Sequence, residues 1–345
     1  MSTHQSFNRH RRLTRHGVLA ALVAGSVAAL AACGQDAEGG EVTLRIGHTQ
    51  GDAHPYQACG IEHLQSELEA SGTGVSVQAF PNAQLGSNED NLTAIQGGEL
   101  DGAIPGVGSL SIFDQRVGVL ELAFAYDSLN DVQQVMDSEL GQEIFEPLRE
   151  SANVRVLGPL WPLGTRHVTA NVPVTSPQDL QGLKLRSQDT PSSRATVEAL
   201  GASANPINFT ELYLALSQGV VDGQENPLNQ IDFGKFQEVQ EHLSLTGHVQ
   251  NASTLVVSES SYSSLTAEQQ DALDSAANGA QEAVAACIAD IDDELLEEWR
   301  VTDVIEIVDA EQIDRAAFRE QARQVYSDPQ YADIGGDLYD DVASD

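Results

Sequence analysis

Apolar and polar positions change period repeatedly from Val42 onward, and each change marks an element. Val42–Gly47 (VTLRIG) alternates like a half-buried strand, 56–68 spaces its apolar residues like one helix face, and Val75–Phe80 (VSVQAF) alternates again. A short helix over 91–96, stopped by Gly97-Gly98, leads to a third strand at 100–104. This β-α-β-α-β order predicts a parallel sheet with right-handed crossovers. A helix pair over 131–151 and a strand at 154–158 follow. Farther on, Asn208 with Glu211 starts a helix over 211–217, and Gly219 stops it. Val220-Val221 reads as a short buried strand ended by the Asp222-Gly223 turn, leaving Gln224, Glu225 and Asn226 on a loop at a strand end. Such loops are where open α/β sheets bind ligands. A strand at 254–257 is followed by one long helix over 266–300, opened by a Thr266/Gln269 capping box and interrupted only by Gly279. From Tyr326 the chain is acidic and without a strong pattern.

Ahead of all this, Arg9, Arg11, Arg12 and Arg15 precede an apolar run over 18–32 that is short for the roughly 20 residues a membrane helix needs. Leu30-Ala31-Ala32-Cys33 resembles a lipoprotein signal box. The expectation is a signal peptide over 1–33, lipidation at Cys33 and a flexible leash at 34–40, with Arg11-Arg12 leaving twin-arginine export open beside the general route. The protein then sits lipid-anchored on the outer face of the cytoplasmic membrane, on the periplasmic side where an outer membrane exists. The chain carries 52 acidic residues, all after Cys33, against 17 Lys and Arg, four of them before it; the processed chain is at −39. Such a charge excludes nucleic acid and anionic lipid surfaces as partners. Once Cys33 is lipidated, Cys59 and Cys287 remain. Two buried thiols are the first expectation, and a disulfide between the first helix and a late one is the alternative.

Catalytic patterns are missing. No H-E-x-x-H, C-x-x-C or G-x-S-x-G occurs, and the loop at Gly106, Gly108 and Ser109 lacks the pattern and the lysine of a phosphate cradle. His48, Asp52 and His54 have metal-ligand spacing but read as polar loop residues, so no cofactor and no metal is expected. An enzyme is not the reading. Arginine at a strand end is a sound acid clamp, because a carboxylate leaving water must be paired and the planar guanidinium fork pairs it twice.

Four stretches carry a resemblance: Pro81–Gly86 as P-x-x-QLG, Lys184-Leu185-Arg186, ELYLAL at 211–216 and DGQENP at 222–227. Together, in this order, they are similar to the DctP-type solute-binding proteins of TRAP transporters, which import organic acids; the likeness runs over roughly 42–310. It implies a two-lobed α/β fold of the type II periplasmic-binding-protein kind, with a long helix spanning both lobes. Lobe I would comprise 41–163 and 252–290, lobe II 164–251 and 291–325, and an acidic tail 326–345. It further implies capture of a small carboxylate, such as a C4-dicarboxylate, a 2-oxo acid or a sugar acid, by hinge closure. Delivery would be to the small and large membrane subunits, from a monomer. The alternatives are the ligand carrier of a sensory system or, further off, an enzyme on a binding-protein fold. The residues that match the family's site are Arg186 and Arg166 for the carboxylate, Asn226 as a side-chain contact, Phe209 packing on the ligand, and Thr49 and Asn88 from the first lobe. Glu225 and His248 would support the clamp from behind, and an unliganded Arg186 would be solvated. Gly106 stands where the family's sialic-acid binders carry an acidic side chain, which favours a smaller or less hydroxylated acid.

Overall fold

The computed structural model describes residues 40–289 and 291–343; Cys33 and the segment before it lie outside them. Strand β1 (Val42–Gly47) is followed by a π-turn at Tyr56–Ile61 and helix α1 (Glu62–Ser71), then by β2 (Val75–Phe80), α2 (Asn88–Gln96) and β3 (Gly102–Ala103). Leu44, Ile46, Val75 and Val77 point inward while Thr43, Arg45, Ser76 and Gln78 face out, so the alternation read from the sequence is that of half-buried strands. Two 3-10 segments, Val107–Ile112 and Gln115–Glu121, precede α3 (Leu129–Asp137) and α4 (Glu139–Ala152).

Two strands of 17 residues each then dominate: β4 (Val154–Ala170) and β8 (His242–Ser258). Between them come β5 (Lys184–Ser187), α5 (Pro191–Leu200), β6 (Ser203–Pro206), α6 (Phe209–Ser217), β7 (Gly223–Pro227) and α7 (Leu228–Phe233). After β8 follow α8 (Glu259–Ser264), α9 (Ala267–Ala289), α10 (Ile291–Thr302), β9 (Glu306–Val308), α11 (Arg315–Tyr326) and α12 (Tyr339–Val342). Among the described residues the nine strands form one sheet, ordered β2-β1-β3-β8-β4-β7-β5-β6, with β9 on β8. The outer thirds are parallel, as the crossover pattern predicts, and β4 and β8 run antiparallel through the middle. Their ladder slips between Leu157 and Trp161, between Pro162 and Gly164, and between Arg166 and Val168. Gly158 and Gly164, with φ of +66° and +105°, absorb the first two irregularities, a backbone state that a side chain would resist. The fold is thus a two-lobed mixed α/β architecture joined by these strands.

Several expectations need correction. The segment 224–226 is no loop: Gln224, Glu225 and Asn226 lie inside β7, buried between β4 and β5. The strand at 154–158 continues past two prolines to Ala170. The long helix over 266–300 is two helices, α9 and α10; the Thr266/Gln269 box is formed, with the Thr266 N–H donating to Gln269 Oε1 at 3.0 Å. Neither half needs Gly279 as a break, since that glycine lies within α9, where a Cβ would meet the His63 ring at 2.5 Å. α9 packs its Ala276, Ala277, Ala280 and Val284 with β1 and Trp161, whereas Trp299 of α10 joins Leu212 and Phe236 in a separate cluster. The stretch from Tyr326 is ordered too: Tyr326 stacks on Tyr339 at 5.2 Å, Tyr331 meets it edge-on at 6.3 Å, and Ile334 joins the main core.

Cys59 and Cys287 form a disulfide, the alternative rather than the first expectation. It ties the π-turn before α1 to the C-terminal part of α9, beside Gly60, whose missing side chain lets Trp161 and Val284 close in. The bridged cysteines are 228 residues apart, so the bridge removes much freedom from the unfolded chain. A Cys59→Ser/Cys287→Ser variant is expected to lose about 2–4 kcal/mol of unfolding free energy in urea titrations. Curves that superpose would show that the bridge adds nothing.

Candidate functional site

The centre of the sheet carries the charged residues. Register sets Val168 of β4 opposite Glu225 of β7 and Arg166 opposite Pro227, so Arg166 and Glu225 are diagonal neighbours on one face. Arg166 donates from Nε to Glu225 Oε2, from Nη2 to Oε1 at 2.7 Å and to the Glu225 carbonyl at 2.6 Å, and from Nη1 to Asn251 Oδ1 at 3.0 Å. Only 5% and 1% exposed, the two make a bidentate buried ion pair. Burial alone would raise the Glu225 carboxyl, but Arg166 and the His248 hydrogen bond outweigh it and hold it down to about 2. His248 Nε2 lies 3.1 Å from Glu225 Oε2, and its Nδ1 lies 2.8 Å from Thr246 Oγ1. Burial pushes the His248 imidazole down against Glu225's upward pull, so the neutral ring donates to Glu225 and accepts from Thr246.

Arg186 differs. It lies next to last in β5, at 3% exposure rather than solvated, and it gives Nε to the Ile207 carbonyl at 2.8 Å. Among the described residues no protein acceptor meets its two terminal nitrogens. Burial, and then the neighbouring Arg166, lower its pKa to about 10 despite Glu225 and Glu89. Arg166 thus has its anion in Glu225, whereas Arg186 feels both charges from the other sheet face and has no anion of its own. That arrangement lacks one negative charge.

The other residues expected at the site fall in different surroundings. Asn226 shares its sheet face with Gln224, away from the Arg166–Glu225 pair, and donates to Gln224 Oε1 at 2.5 Å. By the β5–β7 register that face is also Arg186's. Phe209 stacks with Phe233 at 6.2 Å and meets Phe236 edge-on at 5.4 Å, within the cluster of Leu212 and Trp299. Asn88 opens α2 with a buried Oδ1 that has no partner among the described residues. Its neighbour Glu89 accepts from Ser109 Oγ at 3.3 Å and is one of the charges felt by Arg186, which puts the start of α2 across from β5. Thr49 is half-buried just beyond β1. Beside it, the loop after β1 meets α7: Gln230 Nε2 donates to Gln50 Oε1 at 3.0 Å and lies 3.3 Å from His54 Nε2. His48 bonds Gln57 Oε1 at 3.0 Å, and among the described residues no group of three His, Cys, Asp or Glu is placed to hold a metal ion.

Glu121 went unnoticed in the sequence. It is 8% exposed and lines one narrow cavity with Arg166, Glu225, Gln188, Ser193 and Thr196. Its signal was there to find: one charge in the apolar run from Val117 to Tyr126 (VGVLELAFAY).

With this geometry in view, the chain can be set beside known proteins. The family model described as bacterial extracellular solute-binding protein, family 7 (DctP), matches residues 46–332. A solute-binding protein of Roseobacter denitrificans is 34% identical over 256 residues, covering 74% of this chain and 78% of that one. The solved structure of that Roseobacter protein, a TRAP periplasmic solute-binding protein with bound L-galactonate, aligns with a TM-score of 0.76 over 86% of this chain and 98% of its own. A second TRAP protein of the same organism, with bound 3-deoxy-D-manno-oct-2-ulosonic acid, aligns at 0.79 with 26% identity over 88% and 98%. The sialic acid-binding periplasmic protein of Vibrio cholerae is 32% identical over 235 residues, 68% of this chain and 73% of its own.

Proposed function

The chain belongs to the DctP family of extracellular solute-binding proteins, which serve TRAP transporters and are not enzymes, and we propose that it captures a small hydroxylated organic acid by an arginine clamp and hands it to membrane permease subunits. One observation carries this reading: Arg186 is buried with its terminal nitrogens unmatched, while Arg166 already has its anion in Glu225. A ligand carboxylate supplies the missing charge and accepts two parallel hydrogen bonds from the fork. Relatives with bound L-galactonate and 3-deoxy-D-manno-oct-2-ulosonic acid support sugar acids as the ligand class. No described helix is long and apolar enough to cross a membrane. In this reading the first-lobe groups Thr49 and Asn88 meet the ligand from one side, while Arg166, Arg186, Asn226 and Phe209 meet it from the other, with Glu225 and His248 fixing Arg166.

Closure follows from the same reading, because contacts made from both sides exist only when the lobes are shut. The bulged stretch of β4 and β8 is the proposed bend. Native mass spectrometry of the purified protein is expected to show one retained acid. Small-angle scattering should give a smaller radius of gyration with that acid than after its removal. No retained acid and no affinity for any of the sugar acids above would sink the function, and identical scattering profiles would sink the hinge.

A further inference from the structure

We propose that Glu121 is a specificity-determining residue that reads a hydroxyl group on the carbon chain of the acid; this rests on the clamp reading above. Glu121 ends the 3-10 segment Gln115–Glu121, and its carboxylate fills the space over Gly108, where a Cβ would lie 1.7 Å from Oε2. A side chain at 108 is therefore incompatible with the acid in its observed place. Its partners are weak: Ser192 Oγ at 3.4 Å and the backbone N–H of Gly108. Among the described residues no cation makes a salt bridge with it, although it lines the same cavity as Arg166. A carboxyl group this buried needs further hydrogen-bond partners, and the open side of the cavity is where a ligand can bring one.

The surroundings select the donor. Arg166 lines that cavity and Glu225 is consumed by Arg166 and His248, so no free anion there awaits an ammonium group. Burial pushes the Glu121 carboxyl up, against Arg166 and with Glu225, toward the protonated form. A hydroxyl satisfies Glu121 in either form, donating to the carboxylate or accepting from the acid, whereas an ammonium has no lone pair to accept with. A bare methylene against Glu121 leaves it unsatisfied, so the site penalises acids that lack the hydroxyl.

Isothermal titration with two chain-length-matched pairs tests this: L-galactonate against hexanoate, and D-erythronate against butyrate. The wild type should prefer the hydroxylated member of each pair. Glu121→Ala should weaken the hydroxylated acids by roughly tenfold to a hundredfold and relieve the penalty on the plain acids, so that the ratio collapses. Glu121→Gln, whose amide also donates and accepts, should keep most of the ratio, and neither variant should melt lower than the wild type. A ratio that survives Glu121→Ala overturns the inference, as does equal weakening of both members with a lowered melting temperature. Tighter binding of 2-aminobutyrate than of D-erythronate overturns the hydroxyl assignment. If the wild type binds no acid of either kind, the clamp reading itself fails, and the inference with it.

Discussion

An Arg186→Ala variant is expected to lose about two to four decades of affinity for its acid, roughly 3–5 kcal/mol, while its ligand-free form melts no lower than the wild type. The first half follows from the charge count in the cleft. Arg166 already has its anion in Glu225, so Arg186 is the arginine with a free fork for the ligand carboxylate, and without it that carboxylate loses its main partner. The second half follows from burial. The guanidinium of Arg186 is held below its ordinary pKa, which means that folding works against its charged form; a cation depressed in this way costs stability at every pH below its folded value near 10. Removing it relieves that cost. Arg186→Lys keeps the charge but loses the fork, so most of the affinity should still be lost. Calorimetric titration of both variants beside their melting curves decides the matter. Full-strength binding by Arg186→Ala would sink the clamp, and a collapsed melting temperature would make this arginine structural.

The Arg166–Glu225 pair should behave in the opposite way. Glu225→Ala leaves Arg166 buried without its anion, and about 3–5 kcal/mol of unfolding free energy should disappear. Replacing both partners, as Arg166→Met with Glu225→Leu, removes the charges together and should restore most of that stability, though not ligand binding. Acid does by protonation what the single substitution does by truncation. Because Glu225 is depressed to about 2 in the fold, its contribution is whole above the ordinary carboxylate range near pH 4.5 and is lost as pH falls from there toward 2. Urea titrations across that range, with wild type, single and double variants, give the test. A Glu225→Ala protein as stable as the wild type, or a double variant no better than the single, would contradict it.

How much of this was legible beforehand depended on where each residue's partners lie. β1 and β2 are half-exposed, so their alternation states which face is inward, and the bounds read from the sequence are those found. β7 could not be read in this way. Gln224, Glu225 and Asn226 look like a loop because they are polar, yet they are buried, and register with β4 supplies Thr169 to Gln224 and Arg166 to Glu225. Arg166 stands 59 residues from Glu225, a distance over which no local pattern speaks. The resemblance points to both arginines, but only the packed structure tells the one paired with a carboxylate from the one without. β4 was cut short in the reading because Gly158, Pro159, Pro162 and Gly164 resemble breakers, when in fact they mark the slips of one continuous ladder. The tyrosines at 326, 331 and 339 follow neither a helical nor a strand period, so their stack gave no advance signal.

The unbroken sheet has a consequence for how the molecule was assembled and how it comes apart. Each half borrows its middle strands from the other, and one apolar cluster runs from Leu92 and Leu148 through Leu185 to Phe318. The two halves are not separate folding units. A gene cut at the crossings would yield two fragments, each without a complete core, and heat should melt the whole chain in one calorimetric step.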